Sequence, residues 1–121
     1  MERGVTVAEE TTIVDLSAAT DELLASAADS RAGRATRVFR AAPGGQLSQV
    51  MMALMAGRDL SEHDNPGEAM LHVLRGRVRM TAGADSWELG AGTHMVIPQH
   101  RHSVVALEDA AFLLTVVRGS R

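Results

Sequence analysis

The chain has 121 residues, of which 45% are hydrophobic and 22% are charged, and its formal net charge is −3. This composition predicts one globular domain and excludes a largely disordered chain, because disorder needs low hydrophobicity and high net charge. The chain has no cysteine. That absence excludes disulfides, thiolate zinc sites and cysteine nucleophiles, so any metal must be held by nitrogen and oxygen ligands.

Neither nucleic acid nor a membrane is expected as a partner. The chain has one tryptophan, two phenylalanines and no tyrosine, and its charge is near neutral. It therefore lacks the basic face and the stacking surfaces of nucleic-acid-binding proteins. No apolar run approaches the ~18 residues that a spanning helix needs, and the start of the chain, residues 1–4, lacks the apolar stretch of a signal peptide. We therefore expect a cytoplasmic protein.

The amino-terminal part of the chain predicts one helix, at about residues 17–29. Apolar residues recur there at three- and four-residue steps, namely at Leu16, Ala19, Leu23, Leu24 and Ala27. This spacing is typical of an amphipathic helix. Ser17 or Thr20 can cap its start, and Gly33 can end it. The sequence thus divides into an extension with one helix, residues 1–35, and a second part, residues 36–121.

The second part consists of short runs of β-branched and aliphatic residues that are separated by glycine and proline. Such spacing is typical of an all-β sandwich or barrel. The predicted strands are residues 36–41, 47–56, 69–75, 77–82, 86–89, 93–97, 102–107 and 111–118. We therefore assign the chain to the all-β class, with one short helix in front of the β-structure.

Two of these predicted strands have informative patterns. In 77–82, Val78 and Met80 alternate with arginines, so one face should meet the core and the other should meet water. Residues 50–56 are apolar on both faces. This pattern fits either a central strand that is covered on both sides or a strand at a subunit contact. Trp87, in the next predicted strand, is expected to pack within a sheet.

All five histidines lie in the β-rich part, between residues 63 and 102. They are His63, His72, His94, His100 and His102. Imidazole is the commonest metal ligand and the usual acid–base group near neutral pH, so this grouping is a candidate site. Phosphate-binding glycine loops and serine-nucleophile motifs are absent from the sequence.

The residues around the first histidine resemble the first of two motifs of the cupin family. That motif has a glycine, then His-x-His after five residues, then a glutamate and a closing glycine. Gly57, His63 and Gly76 fit this frame. Asn65 stands at the second histidine position, and Ala69 stands at the glutamate position.

The second motif of the family has a glycine, then Pro-x-Gly after five residues, then a histidine. Gly92 and Pro98 match it, His100 replaces the second glycine, and His102 comes one residue early. A one-residue deletion in that turn would restore His102 to the ligand position. The resemblance covers about residues 36–118.

The resemblance implies a cupin-type double-stranded β-helix, that is, a jelly-roll barrel. It also implies a homodimer, a divalent transition metal (iron, manganese, nickel or zinc) and a small organic ligand in the barrel mouth. A metal-dependent oxygenase or isomerase is one expectation. The alternatives are a metal-free cupin that binds or senses a small molecule, and a purely structural dimer.

In the family frame, His63 and His102 are the metal ligands, and mononuclear centres normally have a third protein ligand. The candidate ligand set is therefore His63, His102 and His72, with Glu68, Asn65 and His94 as other possible third donors. The facing of His72 is left open at this stage. Because side chains alternate along a strand, an inward Ala69 places His72 outward, whereas a bulge near residues 66–67 would bring Glu68, Met70 and His72 inward.

Overall fold

The computed structural model describes residues 13–41, 44–64 and 67–118, with Glu62 and His63 described by their backbone alone. Within these residues one helix, α1, spans Leu16–Asp29 and precedes nine strands. The strands are β1 (Arg34–Arg40), β2 (Leu47–Leu54), β3 (Asp59–His63), β4 (Gly67–Arg75), β5 (Arg77–Ala82), β6 (Asp85–Gly90), β7 (His94–Val96), β8 (His102–Ala106) and β9 (Ala110–Arg118). The predicted all-β class with a short amino-terminal helix is confirmed.

The strands form two antiparallel sheets that face each other. Sheet A has the order β1-β2-β9-β4-β7, and sheet B has the order β3-β8-β5-β6. The inner faces of the two sheets enclose the main core, whose largest fully buried members include Phe112, Leu54, Leu71, Met80 and Val104. The core therefore lies between the sheets, and strands β4 and β5 contribute alternate residues to it.

Strand β5 has the predicted alternation. Val78 and Met80 are fully buried in the core. Arg77 and Arg79 lie on the outer face, and both guanidinium groups donate hydrogen bonds to the carboxylate of Glu88 on the neighbouring strand β6. The sequence pattern alone was sufficient here, because only one face of sheet B is covered.

Strand β3 was missed by the sequence analysis. Its sequence is polar except for Leu60, which packs against the main core. The strand lies at the edge of sheet B and pairs only with β8 among the described residues. A short edge strand needs few apolar side chains, so periodicity gives little signal for it.

The helix start also differs from the prediction. Asp15, rather than Ser17 or Thr20, is the N-cap, and its carboxylate accepts a hydrogen bond of 3.1 Å from the backbone N–H of Ala18. Thr20 is instead buried, with its hydroxyl 3.9 Å from the sulfur of Met51. The helix ends before Gly33, at Asp29. No helix in the described part of the chain is long and apolar enough to cross a membrane.

Strand β2 is covered on both faces, as one of the two interpretations predicted. On the outer face of sheet A, Met51 and Ala53 pack beneath α1 together with Leu113 of β9. On the inner face, Met52 and Leu54 pack in the main core. The outer face of this methionine-rich strand is thus occupied by the chain's own helix rather than left open for a subunit contact.

Candidate functional site

One cross-strand row of sheet B, here called the polar row, holds His63, His102, Ala82 and Asp85 near one end of the strands. The strand register places His63 opposite His102, His102 opposite Ala82, and Ala82 opposite Asp85. Residues that lie directly opposite in antiparallel strands are the closest cross-strand neighbours, with Cβ atoms about 4.5–5.5 Å apart. The two histidines of the family frame therefore occupy adjacent positions in the folded chain.

His102 is the best-defined member of this row. Its side chain is 3% exposed, and its ring nitrogen Nδ1 lies 2.9 Å from the backbone carbonyl oxygen of His100. A carbonyl oxygen can only accept, so Nδ1 carries the proton and the lone pair of the neutral ring is on Nε2. Ligating histidines in metal sites are oriented by this kind of contact.

The next row of the inner face is apolar. Leu60 lies opposite Val104, Val104 opposite Met80, and Met80 opposite Trp87. Trp87 pairs with a core residue, but it belongs to the edge strand β6 and its side chain is 38% exposed. An apolar wall beside a small polar row is the usual composition of a site for a small organic molecule.

Strand β4 shows on which face of sheet A His72 lies, a point that the sequence left open. Ala69, Leu71 and Val73 are buried in the main core, whereas Glu68, Met70 and His72 are exposed. The alternation holds along this stretch, so Ala69 rather than His72 faces inward. His72 lies on the outer face of sheet A and is not brought together with His102.

The other possible third donors are placed as follows. Glu68 lies on the outer face with His72, and His94 pairs with His72 across β4 and β7. His100 is exposed and contributes its backbone carbonyl to the site. Asn65 lies outside the described residues. In the ranges that the structure describes, no three histidine, aspartate or glutamate side chains are grouped closely enough to hold a metal ion.

Two polar groups of the candidate site were missed by the sequence analysis. The backbone carbonyl of His100 could not be predicted, because a backbone group has no sequence signature. Asp85, at the exposed end of the polar row, could have been found, since a two-residue turn after Ala82 pairs Ala82 with Asp85 in a hairpin.

Glu88 has a shifted pKa, and it lies away from this site. Hydrogen bonds from Arg79 (2.9 Å) and Arg77 (3.1 Å) hold the pKa of Glu88 below its usual range. These three residues are on the outer face of sheet B. They stabilise that surface, which is the opposite face of sheet B from His102.

Comparison with known proteins identifies the fold through solved structures rather than through sequence. No protein-family model matches the chain, and no curated protein matches it in sequence. Solved structures do match. A conserved protein of unknown function from Streptococcus pyogenes is 21% identical, with a TM-score of 0.72 over 92% of this chain and 90% of that one.

Two further structures carry the fold name. A cupin superfamily protein from Desulfitobacterium hafniense has a TM-score of 0.66 at 14% identity, over 71% of this chain and 78% of that one. KdgF from Halomonas sp. has a TM-score of 0.59 at 22% identity, over 71% and 82%. The two-sheet β-structure is thus a cupin fold, as the sequence motifs predicted.

Proposed function

We propose that this cupin-fold protein binds a small organic ligand in the mouth of the barrel, together with a divalent transition metal held by His63 and His102. The observation that supports it most is the contact between Nδ1 of His102 and the carbonyl of His100. This contact selects the tautomer whose lone pair is on Nε2, the nitrogen that would bind the metal.

The residues present fit a metal in part. Two imidazoles in adjacent register positions suit iron, manganese, nickel or zinc, and the family's carboxylate position is occupied by Ala69, which has no donor atom. With two protein ligands, more coordination positions are left for an organic ligand with oxygen donors and for water. A bound metal would supply Lewis-acid polarisation of such a ligand.

The chain's own residues would then bind and orient the ligand. Leu60 and Trp87, the less buried members of the apolar row, would hold the ligand's carbon skeleton and exclude water. His102 is fixed by its backbone contact and would keep its direction during binding. If the protein is an enzyme, oxygenation or isomerisation of this ligand is the proposed reaction class.

A second candidate function is a metal-free binding or sensing module. The observation that favours it is the apolar side chain of Ala69 at the family's carboxylate position, together with the lack of a third donor near His102 among the described residues. In this case the neutral imidazole of His102 would bind the polar end of the ligand directly, by accepting a hydrogen bond at Nε2.

The experiment that separates the two is elemental mass spectrometry on untagged protein that has been purified without chelator or nickel resin. We expect near-stoichiometric metal in the wild type and much less in His63→Gln and His102→Gln. The matched control is His100→Ala, which keeps the backbone carbonyl. Thermal melting verifies that each variant is folded. Metal far below one per chain in the wild type contradicts the metal centre and favours the metal-free module.

A homodimer and a cytoplasmic location complete the proposal. The chain mass is 12.9 kDa, so light scattering on the purified protein should give about twice that value for a dimer. A mass of one chain at micromolar concentration would contradict the dimer. The surface of strand β2 is not the expected contact, since α1 covers it.

A further inference from the structure

The outer face of sheet A carries a second pair of histidines. His72 of β4 lies directly opposite His94 of the edge strand β7. Their ring centroids are 6.2 Å apart with an angle of 56° between the ring planes, and both residues are exposed.

This pair lies within reach of the geometry of a chelate. Two imidazole nitrogens that bind one ion at about 2.0–2.1 Å bring the ring centroids to roughly 5 Å. The observed separation is larger by about an ångström, a distance that rotation of exposed side chains covers readily.

The surroundings select the kind of ion. Leu113, beside His72 in the strand register, is apolar, and the neighbouring pair on the same face is Met70 and Val96. The thioether of Met70 is a soft donor, and no carboxylate is paired with either histidine. A set of imidazoles next to a thioether favours copper, nickel or zinc over magnesium, calcium or manganese.

We propose that His72 and His94 form a metal site on the outside of sheet A that takes a late first-row divalent cation, with water completing the coordination. Copper(II) should bind most tightly, in line with the general order of affinities. This site is separate from the inner polar row, and it does not depend on the function proposed for that row.

Binding at this site would connect β7 to β4 by more than hydrogen bonds. Strand β7 has only three residues, and the chain that follows it, residues 97–101, includes the His100 carbonyl that holds His102. An ion that bridges His72 and His94 would therefore also restrain the segment next to the barrel mouth. The expected consequence is slower hydrogen exchange in β7 when the ion is present.

The test is calorimetric titration of untagged protein with CuCl₂, NiCl₂, ZnCl₂ and MgCl₂. We expect one site lost or weakened at least tenfold in His72→Gln and in His94→Gln. His100→Ala is the matched control, because that histidine is also exposed, and it should keep the wild-type affinity. His102→Gln should keep this site as well, which distinguishes it from the inner one.

Two further measurements test the assignment. In the His102→Gln background, which removes the inner site, the copper(II) spin-resonance spectrum should show two nitrogen ligands, and only one once His72→Gln or His94→Gln is added. Nickel should slow hydrogen exchange of the β7 amides only when both histidines are present. The proposal is overturned if both single variants bind copper within twofold of the wild type, or if binding is lost only in His63→Gln and His102→Gln.

Discussion

The two sheets bury their side chains in different ways. Sheet A is covered on both faces at its centre, where Met51 and Leu113 lie beneath α1 and Phe112 lies in the main core. Sheet B is covered on its inner face, while Arg79 and Glu88 form an ion pair on its outer face. The difference shows that a strand's sequence period reports how many of its faces are covered.

The same difference separates the histidines by chemistry. His102 lies on the covered face of sheet B, where burial and the His100 carbonyl give it a single tautomer and direction. His72 and His94 lie on a part of sheet A that α1 leaves exposed, where the rings can rotate. The ring of the buried histidine is thus oriented before a ligand binds, whereas the exposed rings must be oriented by their ligand.

The largest expected effect is at the junction between the two sheets. Gly76 joins β4 to β5 with φ +77°, and a Cβ there would overlap the backbone carbonyl oxygen of Asp109. We expect Gly76→Ala to lower the free energy of unfolding by more than about 4 kcal/mol, because the backbone cannot move aside. Urea denaturation measures it.

The matched control for this prediction is Gly83→Ala. Gly83 also has positive φ, +60°, but a Cβ there would meet no atom within 4 Å. It should cost only the conformational penalty of about 1–2 kcal/mol. Equal losses for the two variants would show that the close contact at the junction has no energetic importance.

The covered outer face of sheet A gives the second prediction. Met51→Ala removes a fully buried side chain between β2 and α1, and we expect a loss of about 2–5 kcal/mol in the free energy of unfolding. Met70→Ala is the control, since Met70 lies on the same face of the same sheet outside the helix and is exposed. It should cost less than about 1 kcal/mol. A small effect of Met51→Ala would mean that α1 does not cover this face in solution.

A third prediction compares the two kinds of histidine. His102→Gln loses the contact with the His100 carbonyl inside the barrel, and it should cost about 1–3 kcal/mol without metal. His72→Gln, on the exposed face, should stay within about 0.5 kcal/mol of the wild type. Thermal melting in the presence of a chelator measures both. Similar melting temperatures for the two variants would contradict the buried position of His102.

The fourth prediction tests the helix start. Asp15→Ala removes the carboxylate that accepts from the N–H of Ala18, and it should lower stability by about 1 kcal/mol. Ser17→Ala should be neutral or slightly stabilising, because Ser17 is inside the helix and alanine is the better helix former. If Ser17→Ala were more destabilising than Asp15→Ala, Ser17 would be the N-cap, as the sequence first suggested.

The smallest expected effect is on the outer face of sheet B. The lowered pKa of Glu88 means that its stabilising contribution is fully present above its ordinary value of 4.5 and is lost as pH falls through the lower folded-state value. Glu88→Gln should therefore melt slightly below the wild type at pH 7, and the gap should close in acid. High salt should reduce the gap too. A gap that widens in acid would contradict the ion pairs with Arg77 and Arg79.

Much of the fold was predictable from local patterns. The alternation in 77–82, the apolar steps of the helix and the glycine frame around His63 each reflect a periodicity or a turn requirement of a short segment. Strand β3 was not predictable, because an edge strand with one core residue has no clear periodicity. The cap at Asp15 was missed by two residues from Ser17, because serine and aspartate cap about equally well and only the observed helix start selects between them.

The candidate site was likewise predictable only in part. The family frame proposed His63 and His102 as metal ligands, and the strand register places these two residues opposite each other. The frame could not decide the facing of His72, because a shift of one residue in β4 moves every side chain to the other face. The His72 and His94 pair was also beyond sequence reasoning, since strand register between distant segments is set by the whole sheet.

The sequence by itself determined the class of fold, the segments that turn and the residues able to bind a metal, because these depend on residue type and local spacing. The tertiary structure decided which of those residues meet. Pairing β3 with β8 brings His63 next to the position of His102, and pairing β4 with β7 sets His72 against His94 on the opposite side of sheet A. Such contacts join residues that are far apart in the chain, so only the packing of both sheets around one core selects them.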